Sequence, residues 1–194
     1  DMIYTEGFNF CIPDVISFQD INAVVEGVCH AVKGIDLGNN TNINFSPQVG
    51  GEVLYWIGGQ GIFGNASNWS SISGGCVYGA NPVNADTLIF DEFSFEFEED
   101  TVTVNQFTQV ENVEMRGLDL TYFDFQSTAV FDYLTVDDSY VTLIGGKLVT
   151  IENTLVRNFS IFIVKNFLFT TPEVMVDGNN LVIVRPGSTL QIPQ

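Results

Sequence analysis

From about residue 100 onward, short apolar and β-branched runs alternate with Gly, Asn and Asp, which is the grammar of strands and turns. No helical period stands out in that half. The runs recur at a nearly fixed distance: those beginning at Val113, Leu134, Leu155 and Val174 step by 21, 21 and 19. A second series, Val102, Phe123, Val141, Phe162 and Val182, steps by 21, 18, 21 and 20, and a shorter third joins Leu148, Phe167 and Leu190. Three interleaved series with one period of about 20 predict an all-β chain, a parallel β-helix or solenoid whose every turn supplies three short strands. Within "KLVTI" and "STLQI" apolar and polar residues alternate, as strands with one inward and one wet face require. "SIFIVKNFLF" is apolar on both faces and predicts a strand covered on its outer side. An antiparallel β-sandwich with closely spaced turns is the alternative the same pattern allows.

The stretch 15–32 reads two ways. Phe18, Ile21, Val25, Val28 and Val32 would line one face of a helix, yet Val, Ile and Phe favour strands and Gly27 and Gly34 break the run.

Composition narrows the partners. Of 194 residues, 24 are Asp or Glu and 6 are Lys or Arg, a net charge of −18. Such a chain repels a phosphate backbone and an anionic membrane surface, and it suits hard cations, Ca²⁺ above all. The longest apolar runs, 161–164 and 181–184, are far shorter than the roughly 20 residues a membrane-spanning helix needs. The chain starts at Asp1 with no basic-then-apolar leader, so an internal or processed piece of something longer is expected. Cysteines occur at 11, 29 and 76 without a C-x-x-C spacing, and His30 is the single histidine, which leaves no zinc pattern. Cys11 with Cys29 is the candidate disulfide, against buried free thiols as the other reading.

Residues 55–75, "YWIGGQGIFGNASNWSSISGG", followed by "NPVNADTLIFDE" and "DTVTVN", resemble the opening of a repeat unit found in large secreted surface proteins of Bacteroidota. The matching positions are Tyr55, Trp56, Gly58, Gly59, Gly61, Asn68, Trp69, Gly74, Gly75, Pro82, Asp86, Ile89, Phe90 and Asp91. "FCIPDVISFQDINA" and "GIDLGNNTNINF" resemble the last coil of such a unit. The resemblance therefore implies that residues 1–48 end one β repeat unit and 49–194 form the next, and it favours strands over a helix in 15–32. It also implies an extracellular, cell-surface protein exported by type IX secretion and related to gliding-motility adhesins. Units of this kind often carry a second Cys after the "VTV" strand, where this chain has "FTQVENVEM", so the usual partner of Cys76 is missing.

The glycines of the opening stretch permit tight turns, and Trp56 and Trp69 are expected to plug the open end of the solenoid; an aromatic platform for a glycan is the competing role. Catalytic candidates are few. Asp137 with Asp138, and the run Glu96, Glu98, Glu99 and Asp100, supply carboxylates, and two at a set separation would serve a glycosidase. A lyase acting on polyanions also needs cations; Arg157 and Lys165 are the pair that adjacent turns would bring together. A Ser-His-Asp site would have to use His30. Glu96 and Glu98 would point to one side of a strand, with Glu99 and Asp100 at its turn, as candidate Ca²⁺ ligands. Sequons stand at Asn39, Asn44, Asn65, Asn68 and Asn158, and "DTL" and "DTV" mark Thr87 and Thr101 as candidate O-glycosylation sites by the same resemblance.

These observations predict a non-enzymatic structural or adhesive segment whose partners are neighbouring repeat units, of the same chain or of a homopolymer, together with surface glycans. The alternatives are a carbohydrate-active β-helix enzyme or glycan-binding module, and a Ca²⁺-dependent surface assembly subunit.

Overall fold

The computed structural model describes residues 2–5, 10–12, 17–20, 22–25, 29–31, 35–36, 38–45, 53–79, 81–82 and 85–193. Among these the chain is built mainly from strands, with a 3-10 turn at Ala66–Asn68. The first seven strands are β1 (Met2–Thr5), β2 (Phe10–Ile12), β3 (Ser17–Phe18), β4 (Asn22–Val25), β5 (Cys29–Ala31), β6 (Ile35–Asp36) and β7 (Ile43–Phe45). They pair in parallel, β1 with β4, β2 with β5, β5 with β7 and β3 with β6. Within 15–32, Ser17–Phe18, Asn22–Val25 and Cys29–Ala31 are thus strands, and the β-branched composition prevails over the helical spacing. The expected unit boundary near residue 49 lies outside the described residues.

The remaining strands are β8 (Val53–Trp56), β9 (Gly61–Ile62), β10 (Trp69–Ser70), β11 (Thr87–Phe90), β12 (Thr101–Val104), β13 (Thr108–Arg116), β14 (Thr121–Asp137), β15 (Tyr140–Arg157), β16 (Ile161–Lys165), β17 (Leu168–Thr170), β18 (Val174–Asp177), β19 (Leu181–Val184) and β20 (Thr189–Gln191). They form one 13-stranded sheet wound into a parallel solenoid with three faces. Face one stacks β9, β12, the first part of β14, the first part of β15, β16 and β19. Face two stacks the first part of β13, the middles of β14 and β15, β17 and β20. Face three stacks β8, β11 and the ends of β13, β14 and β15, then β18. Every described pairing is parallel except β8 with β10, which overturns the sandwich alternative.

The register corrects the counted series. Leu134 stacks on Thr154, and Thr154 on Val174; Leu155 stands one place out, because a register shift between Phe131 and Tyr133 puts one extra residue into β15. Phe123 stacks on Leu143 and Leu148 on Phe169, each two places from the position the sequence suggested. Val141 and Phe167 are buried as well. A slip of two leaves the apolar face unchanged, so the hydrophobic pattern cannot detect it.

The interior is a column of apolar side chains, Val113, Leu134, Phe123, Leu143, Phe125 and Phe131 among them, each 2% exposed or less. Polar groups inside are paired. Thr154 shares its hydroxyl with Thr150 and Thr171 at 3.3 Å each. At the corner between faces three and one, Leu118 N donates to Ser139 Oγ, Ser139 N to Ser160 Oγ and Ser160 N to Asn180 Oδ1, at 3.1, 3.1 and 2.7 Å. Each of the two hydroxyls has one proton for two carbonyls, Ser139 Oγ for Asp137 O at 2.7 Å and Met115 O at 3.2 Å and Ser160 Oγ for Arg157 O at 2.6 Å and Val136 O at 3.2 Å, while Asn180 Nδ2 donates to Val156 O at 3.2 Å and to Asp177 O. This ladder satisfies the backbone where the strands bend and cannot pair. At the next corner a Cβ on Gly146 would collide with the Phe125 carbonyl, so the close approach of two turns there requires glycine.

Ile163 lies on the outer side of β16 yet is only 6% exposed, in keeping with a covered outer face for "SIFIVKNFLF".

Candidate functional site

The opening stretch folds over the first turn of face three. β10 runs antiparallel along β8, pairing Trp69 with Trp56 and Ser70 with Tyr55, while the other side of β8 carries β11. Both indoles are fully buried. They meet edge to face at 5.1 Å and pack on Phe90 at 5.7 and 5.5 Å, with Phe63 5.3 Å from Trp69. Each indole N–H finds a carbonyl, Trp56 Nε1 donating to Gly59 O at 2.9 Å and Trp69 Nε1 to Phe63 O at 2.8 Å. With no ring face left to solvent, neither tryptophan offers a platform to a ligand.

The motif residues around them are structural in the same sense. Asn68 Nδ2 donates to Ile62 O at 3.0 Å, and a Cβ on Gly58 would come within 2.6 Å of Asn68 and 2.9 Å of the Trp56 ring. Gly59 holds φ +53° and donates its N–H to Ser94 O at 3.1 Å. Pro82 is buried and its carbonyl accepts from Ala85 N, while the exposed Asp86 gives its carbonyl to Asn112 N. Tyr55 is half-buried beneath Arg116, whose guanidinium carbon is 5.9 Å from the ring centroid. The buried Asp91 accepts from Ser73 Oγ at 2.7 Å, Phe93 N at 3.1 Å and Ser94 Oγ at 3.3 Å, which ties the end of the opening stretch to the loop after β11.

That loop corrects the expectation for the acidic run. Residues 92–99 are turns and bends, not a strand, so Glu96 and Glu98 have no common strand face. Glu96, Glu98 and Glu99 are exposed, Glu99 in a left-handed turn at φ +67°, while Asp100 is buried and accepts from Phe97 N at 3.3 Å. Among the described residues no three His, Cys, Asp or Glu side chains are grouped to hold a metal ion. What the sequence reading missed here is aromatic: Phe93 and Phe97 are 63% and 66% exposed. The period-2 placement of Phe93, Phe95 and Phe97 among acids mimics a strand, and only Phe95 turns in, stacking 6.4 Å from Phe90.

Asp137 and Asp138 adjoin at the corner after β14. Asp137 is held by Arg157, with Nη2 at 2.8 Å and Nε donating at 2.9 Å, and by Asn158 Nδ2 at 2.6 Å. Arg157 therefore belongs to a carboxylate on the neighbouring turn, and Lys165, at the end of β16 on face one, is not beside it. The side chain of His30 lies outside the described ones, as do those of Cys11, Cys29 and Asn44. Cys76 is disulfide-bonded. Of the sequons, Asn39, Asn68 and Asn158 already donate their amides, to Asp20, Ile62 and Asp137, and Asn65 caps the 3-10 turn by accepting from Ser67 N at 3.1 Å. Thr87 and Thr101 are half-buried in β11 and β12.

No helix among the described residues is long and apolar enough to cross a membrane. Comparison with protein families, with curated proteins and with solved structures finds no match to this chain.

Proposed function

We propose that this chain is a structural segment of a long extracellular surface protein, one that extends and presents adhesive surface by stacking turns. The observation that supports this most directly is the repeated register: Thr108, Ala129, Leu148, Phe169 and Leu190 fall on one column, one from each successive turn. Each turn buries its apolar side on the last one, so length grows without a new core. The paired state of Asp137 and Arg157 favours a mechanical reading of these residues over a catalytic one. The bond at Cys76 suits an oxidising, extracellular compartment, and the resemblance of residues 55–91 to surface repeat units of Bacteroidota suits the same place. Its partners on this reading are neighbouring repeat units.

Antibody raised against the folded chain and applied to intact cells of its source tests the proposal. Labelling of unpermeabilised cells, removed by brief external proteolysis, is the expected result. Labelling only after permeabilisation rejects it.

A further inference from the structure

The outer surface of face one carries a groove of about 360 Å³ between Tyr122 and Tyr140 at one side and Lys165 and Arg185 at the other. Its floor is Thr142 and Ile163, outward-facing side chains that are nonetheless only 4% and 6% exposed. Tyr122 pairs with Thr142 across β14 and β15, and Thr142 with Ile163 across β15 and β16. Lys165 ends β16, and Arg185, whose N–H donates to Val164 O at 2.9 Å, follows β19 one turn on. From Tyr122 to Arg185 the groove thus crosses four stacked turns, about 14 Å at the usual inter-strand spacing.

This pairing of cations runs against the rest of the molecule. The chain has 24 acidic and 6 basic side chains, yet two of the six stand on consecutive turns at one groove, and no carboxylate lines it. Like charges facing each other on adjacent strands cost stability. Among the described residues the ion-paired cations are Arg116 and Arg157, so neither Lys165 nor Arg185 is neutralised there. At physiological salt the screening length is about 8 Å, so an anion in contact with both cations meets their field more strongly than that of distant carboxylates.

We propose that this groove binds an acidic oligosaccharide, a chain of uronate sugars, with a carboxylate held by Lys165 and Arg185 and a sugar ring stacked by its C–H face on Tyr122 or Tyr140. A uronate carries one charge per ring, which two cations can meet. A polyphosphate carries a denser charge, which the net −18 opposes. The volume fits the small end of ligand sites. The inference deepens the adhesive part of the proposed function and rests on it for its biological setting; cell labelling tests that setting and the titration below tests the site, so either can fail alone.

The test is calorimetric titration of the whole chain with a hexamer of galacturonate, with neutral maltohexaose and inorganic phosphate as comparison probes. The uronate hexamer is expected to bind, and the double variant Lys165→Gln, Arg185→Gln to weaken it about 10- to 100-fold, the loss of charge-assisted hydrogen bonds. Tyr140→Leu is expected to weaken it less, and Lys147→Gln, a cation elsewhere on the surface, to leave it unchanged. The changed side chains at 165 and 185 are exposed, so folding is not at stake. Equal affinity for maltohexaose, equal affinity in the double variant, binding of phosphate without the hexamer, or no binding of the hexamer each overturns the site.

Discussion

At the scale of single residues, the opening motif was legible as a structural unit because its chemistry is local. The sequence left plug and platform both open for Trp56 and Trp69, and the local contacts decide for burial: both indoles are inside, their N–H groups take the carbonyls of Gly59 and Phe63, and the backbone at Gly58 comes too close for a side chain. Gly58→Ala places a methyl 2.6 Å from Asn68 and 2.9 Å from the Trp56 ring, and the forced repacking is expected to cost about 1–3 kcal/mol. A urea midpoint unchanged from the parent contradicts that packing. The acidic run was less legible for a physical reason. Alternating Phe and Glu fits an amphipathic strand on paper, but Asp91 and Asp100 use their carboxylates to hold turn N–H groups at Phe93 and Phe97, a local side-chain bond that competes with a ladder. Likewise the cation pair suggested in sequence was Arg157 with Lys165, whereas on the solenoid Arg157 meets Asp137 and Lys165 lines one groove with Arg185.

At the scale of strands and corners, the period was readable and the register was not. Lengthening a turn by one position barely alters the period, yet the single extra residue in β15 brings Thr154 inward where the apolar count expected Leu155. The corner ladder of Ser139, Ser160 and Asn180 was equally hidden, since serine and asparagine read as turn residues whether they face in or out. The ladder and the threonine cluster differ in what they contribute. Ser160 Oγ accepts from Ser139 N and spends its one proton on Arg157 O at 2.6 Å, with Val136 O at the longer 3.2 Å, so Ser160→Ala leaves the buried Ser139 N without its acceptor and is expected to lose about 1–3 kcal/mol. The threonine cluster is mostly self-satisfied, and Thr171 keeps the Glu173 carbonyl at 2.8 Å. Replacing Thr150 and Thr154 together by valine removes both partners at constant shape and is expected to be neutral or stabilising. Urea unfolding of both variants checks this, and the reverse order of stability rules out the assignment of the ladder as the essential one.

At the scale of the whole molecule, the two ends of the described solenoid differ. β8 begins face three but is flanked on both sides, by β11 in parallel and by β10 in antiparallel pairing, and Trp56, Trp69 and Phe90 pack together behind it. β19 and β20 each have one described neighbour, β16 and β17, and Leu181 and Val184 are 50% and 42% exposed. In a nearly one-dimensional stack, where each turn is stabilised by its neighbours, local opening should start where neighbours are fewest. Amide exchange followed by mass spectrometry is therefore expected to be slow in 121–157, nearly as slow in β8, and fast in β19 and β20. Trp69→Ala removes the indole that packs on Phe63 and Phe90 and leaves a cavity worth about 3–5 kcal/mol, and it should speed exchange in β8 well before it is felt in β16. If β8 exchanges as fast as β19 in the parent chain, the antiparallel strand and its tryptophans do not close that end. The stretch 55–75 would then be a packing detail of one turn and not the expected plug.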